Sequence, residues 1–362
     1  MKIAILGTRG IPNRHGGFEQ FAEHFSVYLA ETGHKVYVYN SHDHTHQDST
    51  YKMVNIVHCY DPEYKIGTAG QFIYDFNCIR DARKRNFDVI LQLGYTSSSI
   101  WHWLMPKTSI VITNMDGMEW KRSKYSKKVR KFLKYAEKLA VKYSDFLISD
   151  SIGIQEYLLD KYQKSSKYIA YGATAFDTPD PDILCAFNLE KYKYCILIAR
   201  LEPENNIDTI LEGYTASNTP LDLIIFGALN DYGKWLQKKY IKYSQIRFLG
   251  ANYNQENLNN LRYYSRYYFH GHSVGGTNPS LLEAMASNSL IIANDNIFNK
   301  SILGEDAFYF QKPSDITKIL MTETVFGMKE TFGKRNSEKI ENLYSWNKIN
   351  HQYESFILKC NQ

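Results

Sequence analysis

The sequence predicts an α/β protein made of two doubly wound domains in series, facing a central cleft. Three observations predict it. Apolar runs of strand length recur along the 362 residues, separated by segments of helical period, which is the pattern of parallel sheets covered by helices. The alternation pauses once, at a Pro- and Asp-containing connector from Gly172 to Leu189, and then restarts. The length itself corresponds to about two to three domains.

In the first half the expected strands are Lys2–Leu6, Lys35–Tyr39, Met53–Val57, Asp88–Leu93, Ser109–Thr113, Phe146–Ser149 and Lys167–Ile169. In the second they are Tyr194–Ala199, Leu221–Gly227, Gln245–Leu249, Tyr267–His270, Leu290–Ala293 and Phe308–Phe310. Ligands of open parallel sheets bind outside the carboxyl ends of the strands, so the strand-to-helix loops are where chemistry is sought.

Composition narrows the class. Hydrophobic residues at 44% and charged residues at 22% exclude a disordered or collagen-like chain. The 29 tyrosines are an excess to which no function attaches. Five scattered cysteines with no C-x-x-C pair suggest neither zinc nor a redox centre and fit a reducing cytosol. Met1 leads directly into a strand, unlike a signal peptide, and no run approaches 18 apolar residues. Any membrane contact is therefore expected to be peripheral. The net charge of +5 is uneven: residues 1–175 hold 24 basic and 17 acidic residues, and the remainder 19 and 21. The two halves are expected to meet different partners.

The first strand exits through Gly7-Thr-Arg-Gly-Ile-Pro-Asn-Arg-His-Gly-Gly-Phe-Glu19 into a helix from Gln20 to Glu31. The G-x-G-x-x-G spacing is absent and the second strand ends Tyr39-Asn40 with no acid for a ribose, which disfavours a nicotinamide enzyme. Gly16-Gly17 instead open a helix, where free N–H groups and the dipole favour an anion and a missing Cβ lets it approach. Arg9, Arg14 and His15 share that loop. The second half has a counterpart in His270-Gly-His-Ser-Val-Gly-Gly-Thr-Asn-Pro-Ser-Leu-Leu-Glu283. Gly275 and Gly276 precede a helix that Thr277 or Asn278 can cap and Pro279 can start. Glu283, one turn in, can accept from a ribose diol, although such a residue is more often an ordinary helix position. Arg200, after an apolar strand, suits a diphosphate because its fork donates two parallel hydrogen bonds. The alternative for it is a surface ion pair with Glu202 or Glu204.

Together these residues resemble the family 4 glycosyltransferases of the GT-B fold, two Rossmann-like domains facing a cleft, and within them a bacterial polysaccharide rhamnosyltransferase-like branch. The motifs are Gly16-Gly-Phe-Glu19, Asp116-Gly-Met-Glu-Trp120, Arg200-Leu-Glu-Pro-Glu-Asn205, Gly275-Gly-Thr-Asn-Pro-Ser-Leu-Leu-Glu283 and Tyr344-Ser-Trp346. The resemblance implies an acceptor-side domain at 1–175, a donor domain at 176–335, and a closing helix within 336–362 that crosses back to the first domain. It implies transfer of a sugar from a nucleotide diphosphate with retention, without metal or other cofactor. Arg200, Asp116 and Glu19 would be catalytic, and Gly16, Gly17, Arg9, Asn205, Gly275, Gly276, Thr277, Asn278 and Glu283 would bind the donor.

The sequence departs from the family pattern twice. Asn205 stands where a lysine is usual, and Arg9 or Arg14 is the expected substitute. Gly275 stands where a glutamate contacts the donor sugar. Asp116 also occupies the place of a histidine that contacts a 6-hydroxyl, which agrees with a 6-deoxy donor such as dTDP-rhamnose.

Three features resemble other chemistry. Asp180-Pro-Asp182 matches a metal-binding D-x-D but lies in the connector, and His42, His44 and His46 alternate in a polar loop. From Lys121 to Lys142 there are ten Lys/Arg and one acid, Glu137, with Tyr125, Val129, Phe132, Ala136, Leu139, Ala140 and Tyr143 at helical spacing. Such a helix suits the anionic inner face of the cytoplasmic membrane, where a polyprenyl-diphosphate-linked saccharide would be the acceptor. The alternative is a solvated helix packed on the first sheet; nucleic acid fits less well, since no stacking aromatics interleave. A nucleotide-sugar 2-epimerase of the same fold and a non-catalytic nucleotide-sugar-binding protein are the competing functions.

Overall fold

The computed structural model describes residues 1–122 and 125–361. The chain divides into two compact units. The first takes Met1–Lys121, Tyr125–Tyr171 and the segment from Trp346 onward; the second takes Gly172–Ser345 together with Arg122.

The first unit is built on β1 (Lys2–Leu6), β2 (Lys35–Ser41), β3 (Thr50–Tyr51), β4 (Val54–Cys59), β5 (Val89–Leu93), β6 (Ile110–Asn114), β7 (Phe146–Ser149) and β8 (Lys167–Tyr168). Their order is β3-β4-β2-β1-β5-β6-β7-β8, parallel throughout except for the antiparallel β3–β4 pair. The sheet is covered on both faces, which is why its strands read as unbroken apolar runs. Ala4 and Leu6 join Cys78, Ile79 and Ala82 of the helix Gly70–Arg85 in one core. Phe21 and Phe25 of the helix Gly17–Glu31 meet Tyr353, with ring centroids 4.5 and 5.2 Å apart. Burial of each such ring contributes about 2 kcal/mol. Tyr353 lies on the helix Trp346–Cys360, which also stacks Trp346 on His24 at 4.2 Å.

The second unit contains β9 (Tyr194–Ile198), β10 (Asp222–Phe226), β11 (Ile246–Gly250), β12 (Tyr267–His270), β13 (Ile291–Asn294) and β14 (Phe308–Phe310), ordered β11-β10-β9-β12-β13-β14 and all parallel. Counted from its own first strand this is the 3-2-1-4-5-6 order, whose direction reverses between β9 and β12. In the first unit the reversal falls between β1 and β5. Each reversal opens a crevice at the strands' carboxyl ends, and the glycine-led loops leave from those ends.

Three expectations are corrected. The strand pair β3–β4 adds a two-residue strand that alternation could not reveal. Within the connector, where no regular element was expected, Pro181–Phe187 forms a 3₁₀ turn that buries Leu184. The basic segment is helical over Lys127–Tyr143 only, Lys124 lying outside the described residues, and the expected apolar stripe packs through its middle, at Ala136, Leu139 and Ala140, but not at its ends. Val129 and Tyr143 are exposed, while Leu133, Ala136, Glu137, Leu139 and Ala140 are buried. Glu137 lies on the same packed face and accepts from the Tyr157 hydroxyl (2.6 Å), the Tyr162 hydroxyl (2.7 Å), Lys161 Nζ (2.9 Å) and Trp120 Nε1 (3.0 Å). Buried and fully engaged, this carboxylate turns the helix's lone acid inward. Among the described residues no helix is long and apolar enough to cross a membrane.

Candidate active site

In the first unit the chain leaves β1 through Gly7, at φ +87°, where a Cβ would lie 2.0 Å from the Leu93 carbonyl oxygen, so only glycine fits. The loop that follows is tied down by acceptors on other elements. Arg9 N–H donates to Glu19 Oε1 (2.9 Å), Ile11 N–H to Asn40 Oδ1 (3.1 Å) and Asn13 N–H to Glu23 Oε2 (2.7 Å). Gly16 is the N-cap of the helix Gly17–Glu31 in extended conformation, and no side chain caps it. First-turn amides of a helix start are of the kind that can receive an anion.

Glu19 is buried beneath this loop, so its role in the structure is to hold the Arg9 backbone. Arg9 itself forms a bidentate pair with Glu63, at 2.8 Å through both Nε and Nη2. That hydrogen bonding raises the arginine pKa and lowers that of Glu63. Its charge is thus matched within the first unit, while Arg14 and His15 are exposed. Asp116 follows β6, half-buried, in the left-handed region at φ +46°, with its N–H bonded to Asn114 Oδ1 (3.0 Å). A non-glycine residue held there costs about 1 kcal/mol, strain of the sort that collects at functional sites.

In the second unit, the loops after β9 and β12 are knitted together at the switch point. Asn206 Nδ2 donates to the Gly271 carbonyl (2.7 Å), and Ser273 N–H and Oγ both donate to the Glu204 carbonyl (3.1 and 2.8 Å). The approach is so close that a Cβ on Gly271 would lie 1.9 Å from the Asn205 carbonyl oxygen. Arg200 is exposed and makes no ion pair among the described residues, so the expected alternative pairing with Glu202 or Glu204 is not what the structure shows. Glu204 is met by Arg122, 3.8 Å away. Asn205 is buried and turned inward: its Nδ2 donates to the Arg200 carbonyl (2.7 Å) and its Oδ1 meets His272 Nδ1 (2.9 Å). The residue in the lysine's place therefore shapes the loop that presents Arg200.

Gly275, at φ +130°, and the buried Gly276 and Thr277 lead into the helix Pro279–Ala286. Asn278 is the cap, its side chain accepting from Ser280 N–H at 2.9 Å. Glu283 is not an ordinary surface position. Its Oε2 accepts from Arg262 Nη2 at 2.6 Å, so one carboxylate oxygen is already bonded within the protein.

The structure thus gathers Arg200, Asn205, Gly275, Gly276, Thr277, Asn278 and Glu283 at the second unit's switch point. Arg9, Gly16, Gly17 and Glu19 gather in the first unit, where Asp116 stands at the end of β6. Arg122, Arg262 and His272 escaped sequence reasoning, because the partners that tie them to the site, Glu204, Ser280, Glu283 and Asn205, lie 18 to 82 residues away in the chain.

The features that resembled metal sites are otherwise engaged. Asp180 accepts from the Asp182 N–H to cap the 3₁₀ turn. His42 Nδ1 accepts from Asp61 N–H, while His44 and His46 reach the carbonyls of Pro12 and Thr50. Among the described residues no group of three or more His, Cys, Asp or Glu could hold a metal ion.

Two parallel-sheet Rossmann-like domains, each with a glycine-led loop leaving a strand at its switch point, define the GT-B class of fold. Residues 186–320 match the model of glycosyl transferases group 1, and residues 1–174 match a domain of unknown function, DUF1972. Solved structures agree. Sucrose-phosphate synthase from Thermosynechococcus elongatus superposes with a TM-score of 0.79 at 15% identity, covering 99% of this chain and 98% of that one. HepE from Anabaena, solved with UDP and glucose, gives 0.75 at 14% identity over 99% and 100%. A glycosyltransferase from Rickettsia africae gives 0.70 at 12% identity over 99% and 98%. At these identities the likeness is one of fold. No curated protein matches the chain. The family match and the fold together support a glycosyltransferase.

Proposed function

We propose that the protein is a retaining, metal-independent glycosyltransferase that moves L-rhamnose from dTDP-rhamnose onto a lipid-linked saccharide in bacterial surface polysaccharide synthesis. The observation that carries this reading is the second unit's switch point, where Arg200, exposed and without an ion pair among the described residues, belongs to the same loop cluster as a glycine-led helix start. The difficult step is departure of a nucleoside diphosphate while positive charge builds on the sugar. Fixed amides at Gly276 and Thr277 and the Arg200 guanidinium stabilise the developing negative charge without reorganising, and supply the positive field that a divalent ion provides elsewhere. Glu283, steadied by Arg262, is assigned to the ribose. The amides at Gly17 form a second anion site, held in shape by Glu19, and Asp116 is assigned to a 6-deoxy sugar. HepE was solved with UDP-glucose, which supports a nucleotide-sugar donor here.

The acceptor reading rests on the helix Lys127–Tyr143. Lys127, Lys128, Lys131, Lys134, Lys138 and Lys142 are exposed on it, together with Val129, Tyr135 and Tyr143. Each charge near an anionic leaflet contributes about 1 kcal/mol, which would hold the enzyme at the inner face of the cytoplasmic membrane, beside a polyprenyl-linked acceptor.

Purified protein incubated with a panel of nucleotide sugars tests the reading. Release of free nucleotide, with transfer when an acceptor is present, is expected for dTDP-rhamnose. An isomerised donor would establish the 2-epimerase instead, and binding without turnover the non-catalytic protein.

A further inference from the structure

His272 offers a hydrogen-bond acceptor that the roles above leave unused. The chain of reasoning starts at the Arg200 carbonyl, which can only accept. The Asn205 side-chain nitrogen, 2.7 Å away, must therefore face it. The Asn205 oxygen then faces His272 Nδ1 at 2.9 Å, so Nδ1 carries the proton and donates. In a neutral imidazole that leaves Nε2 as a lone-pair acceptor. Neutrality is secured by the surroundings: burial first, then the neighbouring His270 and the charges of Arg122 and Arg200, hold the His272 pKa well below its ordinary value. No hydrogen-bond partner of Nε2 occurs among the described residues, and the residue is only half-buried. The backbone that carries the ring is held as well, since the His272 carbonyl accepts from both Asn296 Nδ2 and Asn299 Nδ2 at 3.0 Å.

Position decides what this acceptor meets. Nε2 lies over Gly275, where a Cβ would come within 3.0 Å of it, three residues before the cap of the helix Pro279–Ala286. A lone pair repels a phosphate oxygen and attracts an O–H. The phosphates belong to the amides and to Arg200, and the next group along a nucleotide sugar is its hexose. We infer that His272 Nε2 accepts a hydrogen bond from a hydroxyl of the transferred sugar, making His272 a sugar-binding residue of the donor site. The inference rests on the nucleotide-sugar reading above. It also accounts for glycine at 275: the histidine ring occupies the space that a side chain from 275 would need, and it provides an acceptor of its own there.

Calorimetric titration of the full chain tests this, using UDP, dTDP, UDP-glucose and dTDP-rhamnose as probes on wild type, His272→Ala and His272→Gln. The expected result is that His272→Ala binds the free nucleotides within about twofold of wild type while losing about tenfold in affinity for the nucleotide sugar that wild type prefers. His272→Gln, whose amide oxygen restores an acceptor, should recover most of that loss. Equal losses for nucleotide and nucleotide sugar would overturn the inference in favour of a phosphate or folding role, as would no loss for either, or a Gln variant no better than Ala. If wild type binds none of the four probes, the nucleotide-sugar reading itself fails and takes this inference with it. Melting temperatures of the variants, measured alongside, separate lost contact from lost fold.

Discussion

Arg262 and Glu283 form a 2.6 Å ion pair in which the arginine side chain is almost wholly buried, although the two residues stand 21 positions apart. Arg262 also donates to Asn259 Oδ1 and Ser280 Oγ, so it fixes the start of the helix that carries Glu283. Removing the carboxylate leaves a buried cation without its counter-charge, which costs about 3 kcal/mol. Glu283→Ala is therefore expected to lower both unfolding free energy and nucleotide affinity, whereas Glu283→Gln, keeping an oxygen for Arg262, should lose mainly affinity. Urea unfolding and nucleotide titration on the two variants distinguish these effects; a loss of stability under 1 kcal/mol for Ala would show that the pair is not structural.

Gly275 combines a φ of +130° with the close approach of His272. Any side chain there is strained in backbone and crowded at Cβ. Gly275→Ala is predicted to destabilise the protein by about 1 to 2 kcal/mol and to weaken nucleotide-sugar binding. Wild-type affinity in this variant would mean that the loop adapts.

Asp75 gives the stability a pH dependence of unusual sign. Burial first, and the nearby Asp61, push its pKa up to about 7, against the opposing hydrogen bond from Ser97 Oγ (2.5 Å) and the charge of Arg9. The folded state therefore holds a proton that the unfolded chain releases near pH 4. Stability from this group is full below that pH and declines as pH rises toward 7, by about 4 kcal/mol at most. Asp75→Asn should abolish that slope and be more stable than wild type at pH 8. Thermal melts between pH 5 and 8 read this directly, and parallel curves for the two proteins would refute it.

Lys128, Lys131 and Lys138 are exposed on the basic helix. Reversing all three to glutamate changes no packed contact, so the melting temperature should move little. Binding to vesicles of anionic phosphatidylglycerol should fall by several kcal/mol, at about 1 per charge removed, and be lost at moderate salt. Unchanged co-flotation would place any membrane contact on another surface.

The fold was legible because both sheets are buried on two faces: thirteen apolar runs stood out, and their ends shift by only one or two residues. The two-residue β3 carried no pattern to read. Glycines at the loops announced the switch points, and Arg200 was legible from its place after a strand. What stayed hidden is the pairing of side chains across long separations. Nothing local shows that Arg9 will find Glu63, that Asn205 will turn toward His272, or that Glu137 will be enclosed by Tyr157, Lys161 and Tyr162. In the basic helix the apolar stripe at Ala136, Leu139 and Ala140 was legible from spacing, whereas the burial of Glu137 beside it was not.

The helix Trp346–Cys360 closes the core of a unit whose first strand begins at Lys2. Phe21 and Phe25 find Tyr353 only when more than three hundred further residues exist, and Asn114 waits equally for the Tyr353 hydroxyl. During synthesis from the amino end, the helix Gly17–Glu31 thus leaves the ribosome long before the helix that completes its core. An amino-terminal fragment ending at Tyr171 would lack a wall of its own interior.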